Sequence, residues 1–220
     1  MLAAGPVAEA VAGPAWLRAM LAVEAALSTV ESRLGLIPVP AAEAIRAACA
    51  AGVDPSVVAE GAAATGNPAE PLVRALRSAL PDDIAPYVHK GATSQDVVDT
   101  AAMLVVRTAA RLILADLAAA GTRAAELAAA HRRSVLSGRT LLQPALPTTF
   151  GLVAAGWATA LHEASRSLSR VVSERLAVQF GGAAGTLAAF DDFATRRTSW
   201  QARPARCPRT SRRWPRVPSR

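Results

Sequence analysis

Aromatic side chains are scarce in this sequence: 4% of its 220 residues, with one tyrosine and four phenylalanines. Strands favour aromatic and β-branched residues, so this scarcity argues against a core built from sheets. No run of 18 apolar residues occurs, and no membrane-spanning helix is expected. The opening segment, Met1 to Gly13, is apolar but lacks a basic leader, which argues against a secretory signal. Only two cysteines are present, Cys49 in a helical pattern and Cys207 in a basic segment. So placed they make neither a disulfide framework nor a metal site, and a reducing cytoplasm fits. Acidic residues are missing altogether from 195–220, which holds nine arginines, four prolines and two tryptophans. The other 194 residues carry 15 basic and 17 acidic side chains, so the net charge of +7 belongs to that last stretch. Overall basicity is therefore no guide to the function of the rest.

Alanine, leucine and valine dominate. Alanine loses no side-chain entropy in a helix, and the composition predicts an all-α fold. Pro14 suits a first helical turn, and Trp16, Met20, Val23, Ala26, Leu27 and Val30 continue an apolar stripe as far as Gly35. Shorter helices are predicted over 39–51, 55–65 and 70–80, each bounded by Gly, Pro or Asp. Two long helices follow, over 94–136 and 149–178, with Val97, Ala101, Leu104, Val105, Thr108, Leu112 and Ala115 striping the first and Gly121 marking a bend. The domain reading is an N-terminal helical domain at 1–92, a partial central bundle at 93–192 and a basic irregular tail at 193–220. Helices this long cannot bury their apolar faces within so small a domain, and a homo-oligomer is expected.

The junctions before the long helices hold the polar residues of interest. In the first, residues 89–100, Thr93 and Asp96 match a capping box. One reading is a well-made helix start. The other is that Thr93, Ser94 and Gln95 offer neutral donors at the positive end of a long helix, where an anionic substrate would be held. His89 lies just upstream, structural or catalytic, and Lys90 adds positive charge. In the second junction, Pro144 and Pro147 predict an extended approach to the next helix, which Thr148 or Thr149 can cap. Arg139, Thr140 and Gln143 are polar residues in an apolar passage; Arg139 can bind a substrate carboxylate or pair with a helix acid. The third, 179–187, is glycine-rich but has neither the lysine nor the preceding strand of a phosphate loop, leaving tight backbone packing or a substrate-facing turn.

Taken together, Trp16-Leu17 with Glu24-Ala25-Ala26-Leu27, then Gly66-Asn67-Pro68 and the segments 89–100, 138–151 and 179–186, resemble the fumarase/aspartase superfamily. The nearest branch is the 3-carboxy-cis,cis-muconate cycloisomerases. The resemblance implies a helical, usually homotetrameric enzyme whose active sites combine residues from three subunits. It makes Thr93 and Ser94 substrate-carboxylate binders and His89 the histidine that orients or protonates substrate. Thr140 and Gln143 would face the substrate. Many lyases of the superfamily have a histidine where this chain has Leu141, which favours the cycloisomerase branch over adenylosuccinate lyase, the alternative. Lys90 departs from the tryptophan common in that branch and leaves room for a related lyase. The implied reaction interconverts 3-carboxy-cis,cis-muconate and 4-carboxymuconolactone, on a small polycarboxylate with no metal or organic cofactor.

The resemblance also implies a chain about twice as long, with a serine-bearing loop that supplies the catalytic base. No such loop string occurs here, and the likeness stops where the arginine-rich stretch begins. The expectation is a truncated or frame-shifted cycloisomerase-like product. Two other readings stand beside it: an enzyme using another base, and a non-catalytic helical subunit or salt-sensitive nucleic-acid binder acting through the tail.

Overall fold

The structure is a computed structural model that describes residues 4–193. It is all-α apart from one two-stranded ribbon. Five helices come first: α1 (Pro6–Ala10), α2 (Gly13–Arg33), α3 (Val39–Ala51), α4 (Pro55–Thr65) and α5 (Ala69–Ser78). A 3-10 turn at Ala85–Tyr87 leads to the long helix α6 (Ser94–Ala130). The ribbon strands β1 (Val135–Thr140) and β2 (Gln143–Thr149) then precede the second long helix, α7 (Phe150–Glu174), and a 3-10 segment at Ala188–Phe193. Apart from its first residue, the predicted basic tail at 193–220 lies outside the described residues. Among the described residues no helix is long and apolar enough to cross a membrane.

The chain forms two compact units, the described parts of Met1–Arg107 with Ala177–Arg220, and Thr108–Leu176. In the first, the helices end where their sequence says they must. Gly35, at positive φ, lets the Leu36 N–H reach back to the Glu31 carbonyl and its own N–H to that of Ser32, closing α2 in a Schellman motif. The Asp54 carboxylate caps α4 through the Ser56 N–H at 2.9 Å, and its bonds to Ser56 hold it below the usual carboxylate range. Asn67 Oδ1 accepts from the N–H groups of Ala69 and Glu70 and so starts α5. A Cβ on Gly61 would land on the Pro71 ring, so α4 and α5 approach closely only because that position is glycine. Leu17, Met20, Ile45, Leu72, Leu76 and Val88 meet Val97 and Ala101 of α6 in one continuous core.

In the second unit, helix α6 runs unbroken through Gly121, which faces the Leu161 side chain of α7. It stops at Ala130, earlier than the predicted end at 136, because the next residues enter the ribbon. There Val135 pairs with Thr149, Ser137 with Pro147 and Thr140 with Gln143, antiparallel. The two prolines keep β2 extended as expected, but the approach becomes a hairpin. Its turn residues, Leu141 and Leu142, take the positive-φ pair of a type I′ turn without a glycine or asparagine between them. Thr149 Oγ1 caps α7 by accepting the Leu152 N–H at 3.2 Å. Gly151 N–H reaches the His131 carbonyl at 3.0 Å, a contact whose closeness leaves no room for a Cβ.

Candidate functional site

The first unit gathers its polar residues around the start of α6. Helix α2 presents Glu24, Ser28 and Glu31 on its buried face, three and four residues apart and so stacked along one side. Glu24 is 1% exposed, and its Oε1 lies 2.6 Å from His89 Nδ1. The imidazole, 14% exposed, is held from 65 positions away in sequence. Its backbone is left-handed. That conformation costs a non-glycine residue roughly 1–3 kcal/mol. The turn is clamped on both sides. Arg77 Nη2 donates to the Val88 carbonyl at 3.0 Å, and Lys90 Nζ donates to the Leu36 carbonyl at 2.9 Å. Lys90 also lies 5.5 Å over the Tyr87 ring, so its ammonium is committed to the end of α2.

Four residues on, Thr93 and Ser94 are half-buried at the first turn of α6. The capping box is half formed. Asp96 Oδ2 accepts the Thr93 N–H at 2.9 Å, but the Asp96 N–H goes to the Thr93 carbonyl at 3.0 Å rather than to its hydroxyl. The Thr93 and Ser94 hydroxyls thereby stay unengaged among the described residues, while Gln95 Nε2 turns to Asp99 at 2.7 Å. Asp96, 2% exposed, also accepts the N–H groups of Gly181 and Gly182, both at 2.9 Å. Thr100 Oγ1 exchanges two 3.0 Å bonds with the backbone of Gln179. The glycine-rich third junction is thus strapped to the start of α6. Gly182, also at positive φ, passes so close to the Gly91 carbonyl that a Cβ would sit 3.0 Å from it, which is the tight packing its composition suggests.

Of the expected site residues, His89, Thr93, Ser94 and Gln95 share this first unit. Arg139, Thr140 and Gln143 lie on the ribbon of the second, all exposed, and Arg139 has no ion pair among the described residues. Glu24 and Asp96 are what sequence reasoning underused. An acid standing inside an apolar helical stripe, between Met20 and Leu27, is the signal that marks Glu24. Elsewhere in the unit, burial pushes the Glu31 carboxyl up to about 8, with Lys90 opposing and Glu24 reinforcing the shift. Burial likewise raises the free Cys49 thiol to about 12. Among the described residues no cluster of three or more His, Cys, Asp or Glu side chains could hold a metal ion.

A family model described as Lyase matches residues 17–197. The chain is 44% identical over 203 residues to nitrosuccinate lyase of Streptomyces davaonensis, which covers 87% of this chain and 43% of that protein. It is 48% identical over 180 residues to 3-carboxy-cis,cis-muconate cycloisomerase of Bradyrhizobium diazoefficiens, covering 80% of this chain and 40% of that one. The crystal structure of beta-carboxy-cis,cis-muconate cycloisomerase from Acinetobacter calcoaceticus sp. ADP1 superposes with a TM-score of 0.81 at 34% identity. That match covers 86% of this chain and 45% of that one. The chain thus spans about two-fifths of the length of the curated relatives it matches. With this pattern of helices and this extent of matching, the chain belongs to the lyase family of the fumarase/aspartase superfamily.

Proposed function

We propose that this chain contributes part of a carboxylate-handling active site of the cycloisomerase type, acting on a small polycarboxylate such as 3-carboxy-cis,cis-muconate. The observation that carries this reading is the start of α6, where two unengaged hydroxyls stand at the positive end of a 37-residue helix, four residues beyond a carboxylate-held histidine. In the lactone-forming direction a substrate carboxylate oxygen bonds to an alkene carbon, and a proton adds to the neighbouring carbon. Thr93 and Ser94 would fix a carboxylate, and His89 would carry the proton or orient the substrate. Arg139, Thr140 and Gln143 would supply further contacts from the ribbon, brought into the site by assembly of several chains, with a homotetramer as the expected form. No metal or organic cofactor is required.

A second reading, β-elimination from a substituted succinate, is favoured by the 44% identity to nitrosuccinate lyase. Both are tested by titrating the chain with 3-carboxy-cis,cis-muconate and with nitrosuccinate, following the backbone amides of 93–95 and substrate absorbance. Saturable shifts with the muconate, at least tenfold weaker in Ser94→Ala and in His89→Ala, are expected. Shifts with nitrosuccinate alone select the second reading. Absence of shifts with either ligand at millimolar concentration defeats both.

A further inference from the structure

We infer that Glu24 is a positioning residue: it holds the His89 imidazole in one orientation and one tautomer, with the proton on Nδ1 and Nε2 left for substrate. The inference rests on the proposed role of His89. A buried carboxylate is a costly way to fill the middle of α2, because an apolar residue of similar volume packs there without the desolvation penalty. Glu24 recovers little of that penalty elsewhere: among the described residues its second oxygen has no partner, and the 2.6 Å contact to His89 is its one hydrogen bond. The histidine carries a cost of its own in its left-handed backbone. Two unfavourable features thus converge on one contact. The clamps on Val88 and Lys90 fix the backbone on either side of the ring, and Glu24 fixes the ring itself. An ionised carboxylate can only accept, so the Nδ1 facing it must bear the proton. The Nε2 lone pair is then the ring's proton acceptor, and when Nε2 gains a proton the nearby carboxylate steadies the imidazolium.

The test is the tautomer, read by two-bond proton–nitrogen correlation on the full chain labelled with 15N-histidine. The chain has three histidines, and His89→Gln assigns the signal. His131, whose Nδ1 meets the Ser134 hydroxyl at 3.1 Å, serves as an internal control, since a hydroxyl can donate or accept. Expected is a His89 signal of the Nδ1–H form. In Glu24→Leu, which keeps the volume but offers no acceptor, the ratio should move at least tenfold toward Nε2–H. Glu24→Gln, whose amide serves either form, should show both. A purely packing role for Glu24 would alter stability in these variants and leave the tautomer alone. A wild-type ring bearing its proton on Nε2 overturns the inference, as does an unchanged tautomer in the Gln variant, whose near-identical shape guards against loss of fold in the Leu variant. Muconate binding unchanged in His89→Gln would defeat the role of His89 while leaving the tautomer result intact, so the two failures are distinguishable.

Discussion

The two units differ in how far they cover their apolar surface. The first encloses Leu72, Leu76, Val88, Val97 and Ala101 completely, and uses its buried polar groups to tie distant segments together. The second leaves large side chains in the open. At the ribbon tip Leu141 is 96% and Leu142 89% exposed, and Val135, Leu146, Leu152 and Trp157 are exposed as well. An open apolar groove between α6 and α7 is lined by Ala120, Ala124, Leu127, Trp157 and Leu161. Large exposed apolar patches on a protein surface commonly mark interaction sites. The first unit therefore has a closed core, with exposed valines such as Val39 and Val57 at its surface. The second has a sequence suited to burial against another surface, which fits the proposed assembly.

That contrast breaks first at Asp96. If the first unit is self-contained, its weakest point is the carboxylate that satisfies three backbone N–H groups. Asp96→Ala should cost about 3–5 kcal/mol, since each buried donor left unpaired costs roughly 1–3 kcal/mol and the losses are not fully additive. Denaturant titration reads the cost. Amide exchange should accelerate at Gly181 and Gly182 while the amides of α7 keep their protection. Equal acceleration in both units would show that they do not differ in this way.

Glu31 is the next largest effect, and its sign is set by its elevated pKa. Folded, the carboxyl titrates at about 8 rather than at the ordinary 4.5. Between those values the folded chain holds a proton that the unfolded chain has released. Its contribution to stability is fully present below pH 4.5 and is lost as pH rises through 8. Glu31→Gln cannot ionise and should flatten that decline. The variant should match the wild type near pH 4 and exceed it by roughly 3 kcal/mol at pH 7, at ~1.4 kcal/mol per pH unit. Thermal unfolding of both proteins from pH 4 to 9 checks this, and parallel curves would remove Glu31 as the cause.

What could be read from the sequence follows the range of the interactions involved. Helix ends set by local chemistry were legible: Gly35 and Gly66 in left-handed caps, Asp54 as the cap of α4, Thr149 as the cap of α7. Thr93 and Ser94 were legible for the same reason, because a helix start is encoded within a few residues. The ribbon was not. Its turn is Leu141-Leu142, without the Asn-Gly or Asp-Gly signal of a type I′ turn, and prolines in β2 suggest a linker rather than a strand. Nor does spacing reveal the pairing of Glu24 with His89, or of Asp96 with Gly181, which span 65 and 85 positions. The helix starts and glycine turns could be named, but not the distant partners that the Glu24 and Asp96 carboxylates take.

The smallest predicted effect lies in the second unit and, unlike that of Asp96→Ala, is a gain. Leu141 and Leu142 adopt left-handed backbone without any contact among the described residues that would offset its cost, each being almost wholly exposed. Replacing the pair with Asn-Gly, which adopts a type I′ turn readily, should stabilise the ribbon by about 1–2 kcal/mol. Exchange at the cross-strand amides of β1 and β2 should slow by roughly the tenfold that about 1.4 kcal/mol represents. If these leucines exist to be covered, the same replacement should weaken self-association in sedimentation experiments even as the isolated ribbon gains stability. A gain in both would mean that the exposed tip is not a contact surface, and the difference between the two units would then reduce to helix packing in the second.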